Sequence, residues 1–435
     1  MSQTNVASGS SQAALIYGAA LFAQTQKKAG TFRNMVGPKP TMAEVDGKLS
    51  KLQSSPGMPI VEIMDLTKTA GDQARMDCID IATAKPIMGD RNAEGRGTPM
   101  SFSNMDVKID QWTFPVNAGG RMSQQRTVHD LRRLARSQAV GLAARYFEQR
   151  TLCHLAGARG QVSGNDWVVP LQFASGASSG GDADFADIMV NPILAPTYNR
   201  HYVVNGTSLT QGGAQLASIA STDDLTLSHI DQIRNIIDNL DLTLQPVQIP
   251  DDPAAGDDPM WVMLVPPNVY SQLLTEGSLR AFQQNAITRA AYGSKHPLFR
   301  GEVGMWNGIL VKKISRAIRF LPSDYAKIIT SANAATATET AQQVNASLTA
   351  GYAVERCVVL GAQALANAYG KDAASGTHYS WAEKLHNFER EPEFAVFGVE
   401  GATKVRFNVP DSTGAKIPTD HGVIAVDVAV KLSAS

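Results

Sequence analysis

The chain contains few groupings of residues that could carry out catalysis. Gly176, Ser178 and Gly180 match the pattern G-x-S-x-G, which marks a nucleophilic serine when it joins a strand to a helix. Here the pattern lies in a run rich in Ser and Gly, and no strong helix pattern begins at the serine. We therefore interpret it as a chance match and predict that the protein is not an enzyme.

The histidines, cysteines and acidic residues do not have the spacing of a metal site either. None of the eight His has an H-x-x-x-H partner, and the three Cys contain no C-x-x-C. The acidic segment 251–258 has a Gly at its sixth position but lacks oxygen ligands at the third and fifth positions of a calcium loop. Gly95 and Gly97 lack the third glycine of a dinucleotide loop. The sequence predicts no metal and no cofactor.

The amino-acid composition is typical of a globular protein. The 435 residues are 43% hydrophobic and 18% charged, enough to bury large cores in two or three domains. The formal net charge of −1 argues against bulk affinity for nucleic acid but leaves room for local basic patches. The odd number of distant Cys predicts buried, reduced thiols.

The first residues predict an arm rather than a domain. Residues 1–59 are low in regular pattern and contain several Pro and Gly, although 13–28 is compatible with a short amphipathic helix. We expect this arm to lie against something else; the alternative is a disordered tail. The apolar run 13–23 is broken by Tyr17 and Gly18 and has no basic region before it, so neither a signal peptide nor a membrane span is expected.

The longest helical pattern runs from Ser123 to Leu155. It contains no Pro and one Gly, and at 1.5 Å per residue it would be roughly 50 Å long. Ser123 is expected to cap its start, and Gly157 stands just past its end. We interpret it as a spine. Its basic face includes Arg126, Arg132, Arg133, Arg136, Arg145 and Arg150. That face fits phosphate or the carboxylates of a neighbouring subunit; the alternative is plain solvent.

A long polar loop precedes this helix. Residues 60–66, 76–84 and 105–110 have strand patterns, and between them 85–104 lacks apolar anchors. A loop of about twenty residues is commonly functional or disordered. Its charged residues suggest contact with another polar surface, and the alternative is a solvated flap. The candidate contact residues are Asp90, Arg91, Glu94 and Arg96.

The middle of the chain predicts an α/β domain. Ser228 and Asp231 resemble a capping box for a helix over 228–240. Residues 261–265 read as a buried strand, followed by a helix that begins at two prolines and continues to Leu274. The low-complexity run 332–347 is expected to be a surface excursion.

The C-terminal part predicts mainly strands. Residues 357–360 form a short buried strand, and 362–369 a helix that Gly370 ends. Residues 394–399 and 404–407 are predicted to pair with each other. The alternating segment 423–431 needs a sheet to join, and we expect the strands beside the spine to provide it.

Six sequence blocks in the chain carry a family resemblance. They are TFPVNAGGRMSQQRTVHDL at 113–131, NRH at 199–201, KHPLFRGEVGMWNG at 295–308, VLGAQAL at 359–365, VRFN at 405–408 and HGVIAVD at 421–427. Together they resemble the tailed-bacteriophage major capsid proteins of the coliphage N-four type, which have the Hong Kong 97-like fold. The resemblance extends from about residue 60 to the C-terminus.

The resemblance implies an α+β capsid fold. It divides the chain into an N-terminal arm (1–59), an extended β-hairpin loop with flanking strands (60–118), a peripheral-domain spine helix (119–157), a central α/β axial domain with inserts (158–390), and C-terminal strands returning to the peripheral domain (391–435).

The implied function is structural. Such a protein self-assembles into hexamers and pentamers of an icosahedral head around double-stranded DNA, in the virion, after assembly in the host cytoplasm. Portal and scaffolding or decoration proteins would be its partners, with non-specific contact to packaged DNA and no membrane. The loop offers Arg91 and Arg96 with Lys85 only at its base, so no lysine crosslink is expected. The alternative is a nanocompartment shell of the same fold.

Overall fold

The computed structural model describes most of the chain from residue 53 onward. The described residues are 53–64, 71–79, 102–160, 189–240, 242–249, 259–275, 303–332, 337–371, 379–410 and 416–432, with short pieces at 32, 35–38, 66, 86–88, 94, 97 and 167–169. Strands predominate over helices in these residues, in a mixed α+β fold.

The elements are numbered in chain order. The helices are α1 Arg121–Gln125, α2 Leu131–Ala156, α3 Leu227–Asp238 and α4 Pro267–Thr275. The strands are β1 Ile60–Ile63, β2 Gln73–Ile79, β3 Phe102–Lys108, β4 Asp110–Asn117, β5 His201–Asn205, β6 Ser208–Gln211, β7 Trp261–Val265, β8 Val303–Trp306, β9 Ile309–Lys313, β10 Arg319–Phe320, β11 Tyr325–Ile329, β12 Glu339–Gln343, β13 Tyr352–Leu360, β14 Leu365–Tyr369, β15 Tyr379–His386, β16 Glu391–Lys404, β17 Arg406–Pro410, β18 Lys416–Asp420 and β19 Val423–Lys431.

The largest sheet has eight strands. Its order is β6-β5-β19-β13-β7-β9-β8, and β10 pairs with β13 beside this path. Strands β13 and β19 pair along their whole length in antiparallel fashion. Helices α3 and α4 cover one face, where Ile230, Ile233 and Val269 pack with inward residues of the strands. Apolar residues at successive positions of these strands are buried because both faces of the sheet are covered.

A second, five-stranded sheet is built around the long strand β16. Its first part pairs with β15 and its last part with β14, while β4 pairs on the opposite edge. Strand β1 joins β14 in parallel. Helix α2 packs across β4 and β16. The C-terminal end of this helix reaches the core under the eight-stranded sheet, where Leu152, Leu155 and Ala156 are buried.

The predicted spine is two helices, not one. Helix α1 ends at Gln125, and α2 begins after Asp130, whose side chain accepts a hydrogen bond from the Arg133 backbone N–H. Ser123 therefore lies inside α1 and caps neither helix. The Gln124 side chain fills the break, donating to the His129 carbonyl and accepting from the Leu131 N–H. The predicted C-terminal end is correct, because Gly157 is in the left-handed conformation with φ 65°.

The predicted hairpin arms are confirmed in part. Strands β2 and β3 form an antiparallel pair from Gln73 and Lys108 to Ile79 and Phe102. Most of the predicted polar loop between them lies outside the described residues, as do the segments 176–180 and 251–258.

One prediction for the central region is wrong in detail. The N-cap of α3 is Thr226 rather than Ser228, and its capping-box partner is His229 rather than Asp231. The described part of the low-complexity run lies mostly at the surface, as predicted, and includes the exposed strand β12, which pairs with β11. The buried strand Trp261–Val265 and the helix that follows it are confirmed.

Three C-terminal predictions are also wrong. The segment predicted as a helix forms β14, which is enclosed between β1 and β16. Residues 394–399 and 404–407 do not pair with each other: the first belong to β16, and β17 pairs with β18. Strand β19 joins the eight-stranded sheet between β5 and β13 instead of the sheet beside α2.

Candidate intersubunit surfaces

Arg356 connects the end of helix α2 to the eight-stranded sheet. From β13 its guanidinium donates to both carboxylate oxygens of Asp427 on β19, at 2.6 and 2.7 Å. It also donates to the carbonyl of Ala156 at 2.9 Å, one of the helix-end carbonyls that lack a partner within the helix. A positive charge is favourable at this end of the helix dipole.

His201 completes this buried cluster. Its Nε2 lies 2.7 Å from Asp427 Oδ2, and all three side chains are buried. Burial opposes the charge of Asp427, but Arg356 and His201 hold the pKa of this carboxyl well below its usual range. Burial lowers the pKa of His201 despite the attraction of Asp427. The cluster fixes the order β5, β19, β13 with a hydrogen-bonded ion pair in the core.

A second buried cluster joins α2 to strand β16. Arg150 lies 2.8 Å from Glu400 Oε1, to which Trp112 Nε1 also donates at 3.1 Å. The Tyr379 hydroxyl donates to Glu400 Oε2 at 2.6 Å. Burial opposes the charge of Arg150, but Glu400 keeps the pKa of Arg150 above its usual value. Arg150 is therefore not part of a solvent-facing basic surface, contrary to the sequence-based prediction.

A third cluster holds the chain after β16. Lys404 Nζ lies 2.7 Å from Asp420 Oδ2, and Arg406 Nε lies 2.7 Å from Asp420 Oδ1. Burial lowers the pKa of Lys404 to about 8. Asp420 also accepts from the Thr197 N–H at 3.2 Å. These bonds hold β17 and β18 beside the segment around Thr197 that precedes β5.

An apolar groove runs between α2 and the β15–β16 pair, with a volume of about 880 Å³. Val140 and Trp381 on its walls remain 57% and 59% exposed. We name this surface the α2 groove. Its apolar lining includes Ala139, Val140, Ala143, Phe147, Trp381 and Phe394.

The predicted basic face of α2 is largely engaged within the chain. Arg132 Nη2 lies 2.6 Å from Glu383 Oε2 on β15, and Arg136 stacks over the rings of Trp381 and Phe394. Arg145 is half-buried and donates to the Gly141 carbonyl. Arg133 is exposed. The sequence-based argument missed Glu383 and Trp381, because nothing in the local pattern places β15 against the helix.

The hairpin of β2 and β3 carries one of the predicted contact residues in the described chain. Glu94 is exposed at the loop, whereas Asp90, Arg91 and Arg96 lie outside the described residues. Across the hairpin arms, Arg75 Nε lies 2.7 Å from Asp106 Oδ1 on an exposed face.

A second projecting turn joins β15 to β16. Asn387, Phe388 and Glu389 all have positive φ, and Phe388 is 95% exposed. The sequence analysis did not identify this turn. The alternation of the two flanking strands is the signal that could have located it.

The described residues give no indication of metal or membrane chemistry. They contain no group of three or more His, Cys, Asp or Glu that could hold a metal ion. Among the helices described, none combines the length and apolarity needed to cross a membrane. The three cysteines are free thiols.

Two sheets joined through a long helix, an exposed turn between β15 and β16 and an open apolar groove are features of a structural subunit that packs with other molecules. The sequence profile of the family described as "Phage capsid protein" matches residues 5–432. The chain belongs to this family, and it is a structural major capsid protein of a phage head.

Solved phage structures share the fold. The "Capsid of Ralstonia phage GP4" is 24% identical with a TM-score of 0.68 and coverage of 100% of both chains. The "Cyanophage Pam1 capsid asymmetric unit" is 14% identical with a TM-score of 0.57, over 96% of this chain and 100% of that one. "The head structure of Helicobacter pylori bacteriophage KHP40" is 10% identical with a TM-score of 0.55, over 95% and 94%. No curated protein matches.

Proposed function

We propose that this protein forms the icosahedral shell of a tailed bacteriophage by assembling into hexamers and pentamers around double-stranded DNA. We further propose that its fold is of the Hong Kong 97 type and that it is related to the coliphage N-four type. The observation that carries the proposal is the match to the phage capsid family over residues 5–432. The proposed role is structural and not catalytic.

The arrangement of strands and helices supports an assignment of the elements to three parts of a capsid subunit. We assign β2 and β3 to the extended loop, and α2 with β4, β15 and β16 to the peripheral domain. The eight-stranded sheet with α3 and α4 is assigned to the axial domain. In this assignment β19 belongs to the axial domain, because it pairs with β5 and β13.

The contacts with neighbours are assigned to the projecting elements. The loop residues Asp90, Arg91, Glu94 and Arg96 are proposed to contact the adjacent subunit. Exposed Arg133 is proposed to supply non-specific contact with packaged DNA. Portal and scaffolding or decoration proteins are proposed as further partners, and the shell is proposed to assemble in the host cytoplasm.

Assembly of the purified protein tests the proposal. Expression of the chain, with and without a scaffold, is expected to yield particles or capsomers far larger than the 46.5 kDa chain, detected by sedimentation and electron microscopy. A monodisperse monomer under all assembly conditions would contradict it. Nuclease-protected double-stranded DNA in particles from infected cells distinguishes a phage head from a nanocompartment shell, which would enclose a cargo enzyme instead.

A further inference from the structure

Two hairpin turns of the eight-stranded sheet contain an asparagine followed by a glycine. Asn205 ends β5 and precedes Gly206, and Asn307 with Gly308 joins β8 to β9. Both asparagines are exposed. Asn307 and Gly308 have φ of 47° and 78°, the positive values that a two-residue turn between antiparallel strands favours. The sequence contains no other Asn followed by Gly, so the two turns can be compared directly.

An asparagine that precedes a glycine can react with its own backbone. The glycine nitrogen attacks the side-chain Cγ of the asparagine and closes a succinimide ring. The bond from Cγ to Nδ2 breaks, and Nδ2 leaves as ammonia with the proton that the glycine nitrogen loses. Solvent water then opens the ring at either carbonyl, which leaves aspartate or isoaspartate. Glycine permits the attack because it has no Cβ beside the nitrogen.

The glycine nitrogen of the first turn is held by a carboxylate. The Gly206 N–H donates to Asp223 Oδ1 at 2.8 Å, and Asp223 is buried. The attack would break this charge-assisted hydrogen bond. The negative charge of Asp223 also opposes the loss of the proton from the nitrogen. Both effects should slow the reaction at Asn205.

The glycine nitrogen of the second turn has no such restraint. The Gly308 N–H donates to no group in the part of the chain that the structure describes. The carbonyl of Gly308 accepts from the Trp261 N–H at 3.0 Å, and this bond does not involve the nitrogen that must attack. The structure therefore favours reaction at Asn307 over reaction at Asn205.

Reaction at Asn307 would alter the contact between this turn and helix α3. Asn307 Nδ2 donates to Asp231 Oδ1 at 3.1 Å, and Trp306 Nε1 donates to the same oxygen at 2.8 Å. The first bond is at the surface, so water replaces it at little cost when the Asn307 side chain turns toward Gly308. In the product a carboxylate takes the place of the Asn307 amide and faces Asp231, and like charges at this separation repel each other.

We propose that Asn307 is a site of spontaneous deamidation through a succinimide, and that the product weakens the contact between the β8–β9 turn and α3. Asn205 keeps its amide over the same period. The inference goes beyond the proposed shell function, because it concerns a covalent change in the folded subunit that needs no partner.

Peptide mass spectrometry of the full-length, unassembled subunit tests the site. The native subunit and the urea-unfolded chain are incubated in the same mildly alkaline buffer, and the loss of amide at Asn307 and Asn205 is followed with time. Aspartate and isoaspartate products are separated by chromatography. The unfolded chain is the matched control, because both asparagines then precede a glycine without a fixed hydrogen bond.

We expect Asn307 to react at least about tenfold faster than Asn205 in the native subunit, because the Gly206 hydrogen bond must open before Asn205 reacts. In the unfolded chain the two rates should be similar. Equal rates in the native subunit would overturn the proposal. An intact Asn307 after the unfolded chain has reacted would also overturn it, as would the same rate difference in both states, which would assign the cause to local sequence.

Hydrogen exchange measures the consequence for α3. In the Asn307→Asp variant, which carries the charge of the product, amides of α3 are expected to exchange at least about threefold faster than in the native subunit, because two carboxylates then face each other. Adding Asp231→Asn places an amide opposite the new carboxylate and should return exchange to near the native rate. Unchanged exchange in the single variant, or no recovery in the double variant, would overturn the proposed effect on α3.

Discussion

At the scale of single residues, Arg356 connects two neighbouring strands to the end of a helix. One guanidinium holds Asp427 on the neighbouring strand and the last turn of α2. Buried ion pairs are costly to break, because removing one partner leaves a charge without compensation in the core. Arg150 with Glu400 and Lys404 with Asp420 repeat this arrangement elsewhere.

Arg356→Met is expected to destabilise the subunit by about 3–5 kcal/mol, because Asp427 then remains buried without its cation. Urea unfolding of the unassembled subunit measures the change. The double variant Arg356→Met, Asp427→Leu should recover much of the loss. Arg75→Met, which breaks an exposed pair with Asp106, is the control and should change stability little. A loss for Arg356→Met no larger than that of the control would contradict the argument.

His154 is expected to make the stability of the subunit depend on pH in the acid range. Burial, with the nearby charges of Arg150 and Lys404, lowers the pKa of His154 to about 3. Between pH 6.5 and about 3 the unfolded chain binds a proton here that the folded chain does not, so stability falls as the pH falls. The slope approaches about 1.4 kcal/mol per pH unit for this one group.

The variant His154→Gln is expected to have a smaller slope of unfolding free energy between pH 6 and pH 5, measured in urea. His421, whose pKa burial lowers to about 4, keeps its own share of the slope in that variant. Identical slopes for the variant and the native protein would show that His154 does not titrate differently in the two states.

At the scale of elements, β16 organises the five-stranded sheet by pairing with β4, β14 and β15. Its backbone also passes very close to the end of β3, which belongs to a separate sheet. A Cβ at Gly401 would lie 1.8 Å from the Lys108 carbonyl oxygen. The Asn191 side chain binds both backbone groups of Lys108, at 2.8 and 3.1 Å. The crossing therefore requires a residue without a side chain on β16.

Gly401→Ala is expected to destabilise the subunit by about 3 kcal/mol, since backbone atoms at this crossing must move apart to accommodate the methyl group. Thermal unfolding of the unassembled subunit provides the measurement. Gly97→Ala is the matched control, because a Cβ at Gly97 meets nothing within 4 Å. Equal unfolding midpoints for the two variants would mean that the crossing relaxes without cost.

At the scale of the whole molecule, the loop between β2 and β3 is proposed to act only between subunits. Reversing its charge with Arg91→Glu and Arg96→Glu should impair assembly without unfolding the subunit, because carboxylates on the neighbouring surface would then face like charges and repel them. Particle yield by electron microscopy and the urea midpoint are measured together. Arg91→Lys with Arg96→Lys preserves the charge and is the control. Normal shells from the reversed variant would contradict the assignment.

Local features of the sequence predicted several elements correctly. The apolar run Trp261–Val265 forms a buried strand, and Gly157 ends the long helix. The pairing of β2 with β3 follows from the strand patterns on either side of the segment 80–101. The structural role in a phage head came from sequence blocks that resemble a family, rather than from any one residue.

What the sequence by itself determined is the buried strand Trp261–Val265, the helix after it and the C-terminal end of α2, because these features depend on residues within a few positions of one another. Tertiary structure alone decided their partners. The segment Leu365–Tyr369 became a strand because β1 and β16 enclose it, and β19 entered the eight-stranded sheet because β5 and β13 border it. Arg150 and Arg356 are buried beside carboxylates from strands more than seventy residues away in the sequence. A local pattern carries no information about contacts at that separation, so their burial could not be predicted from it.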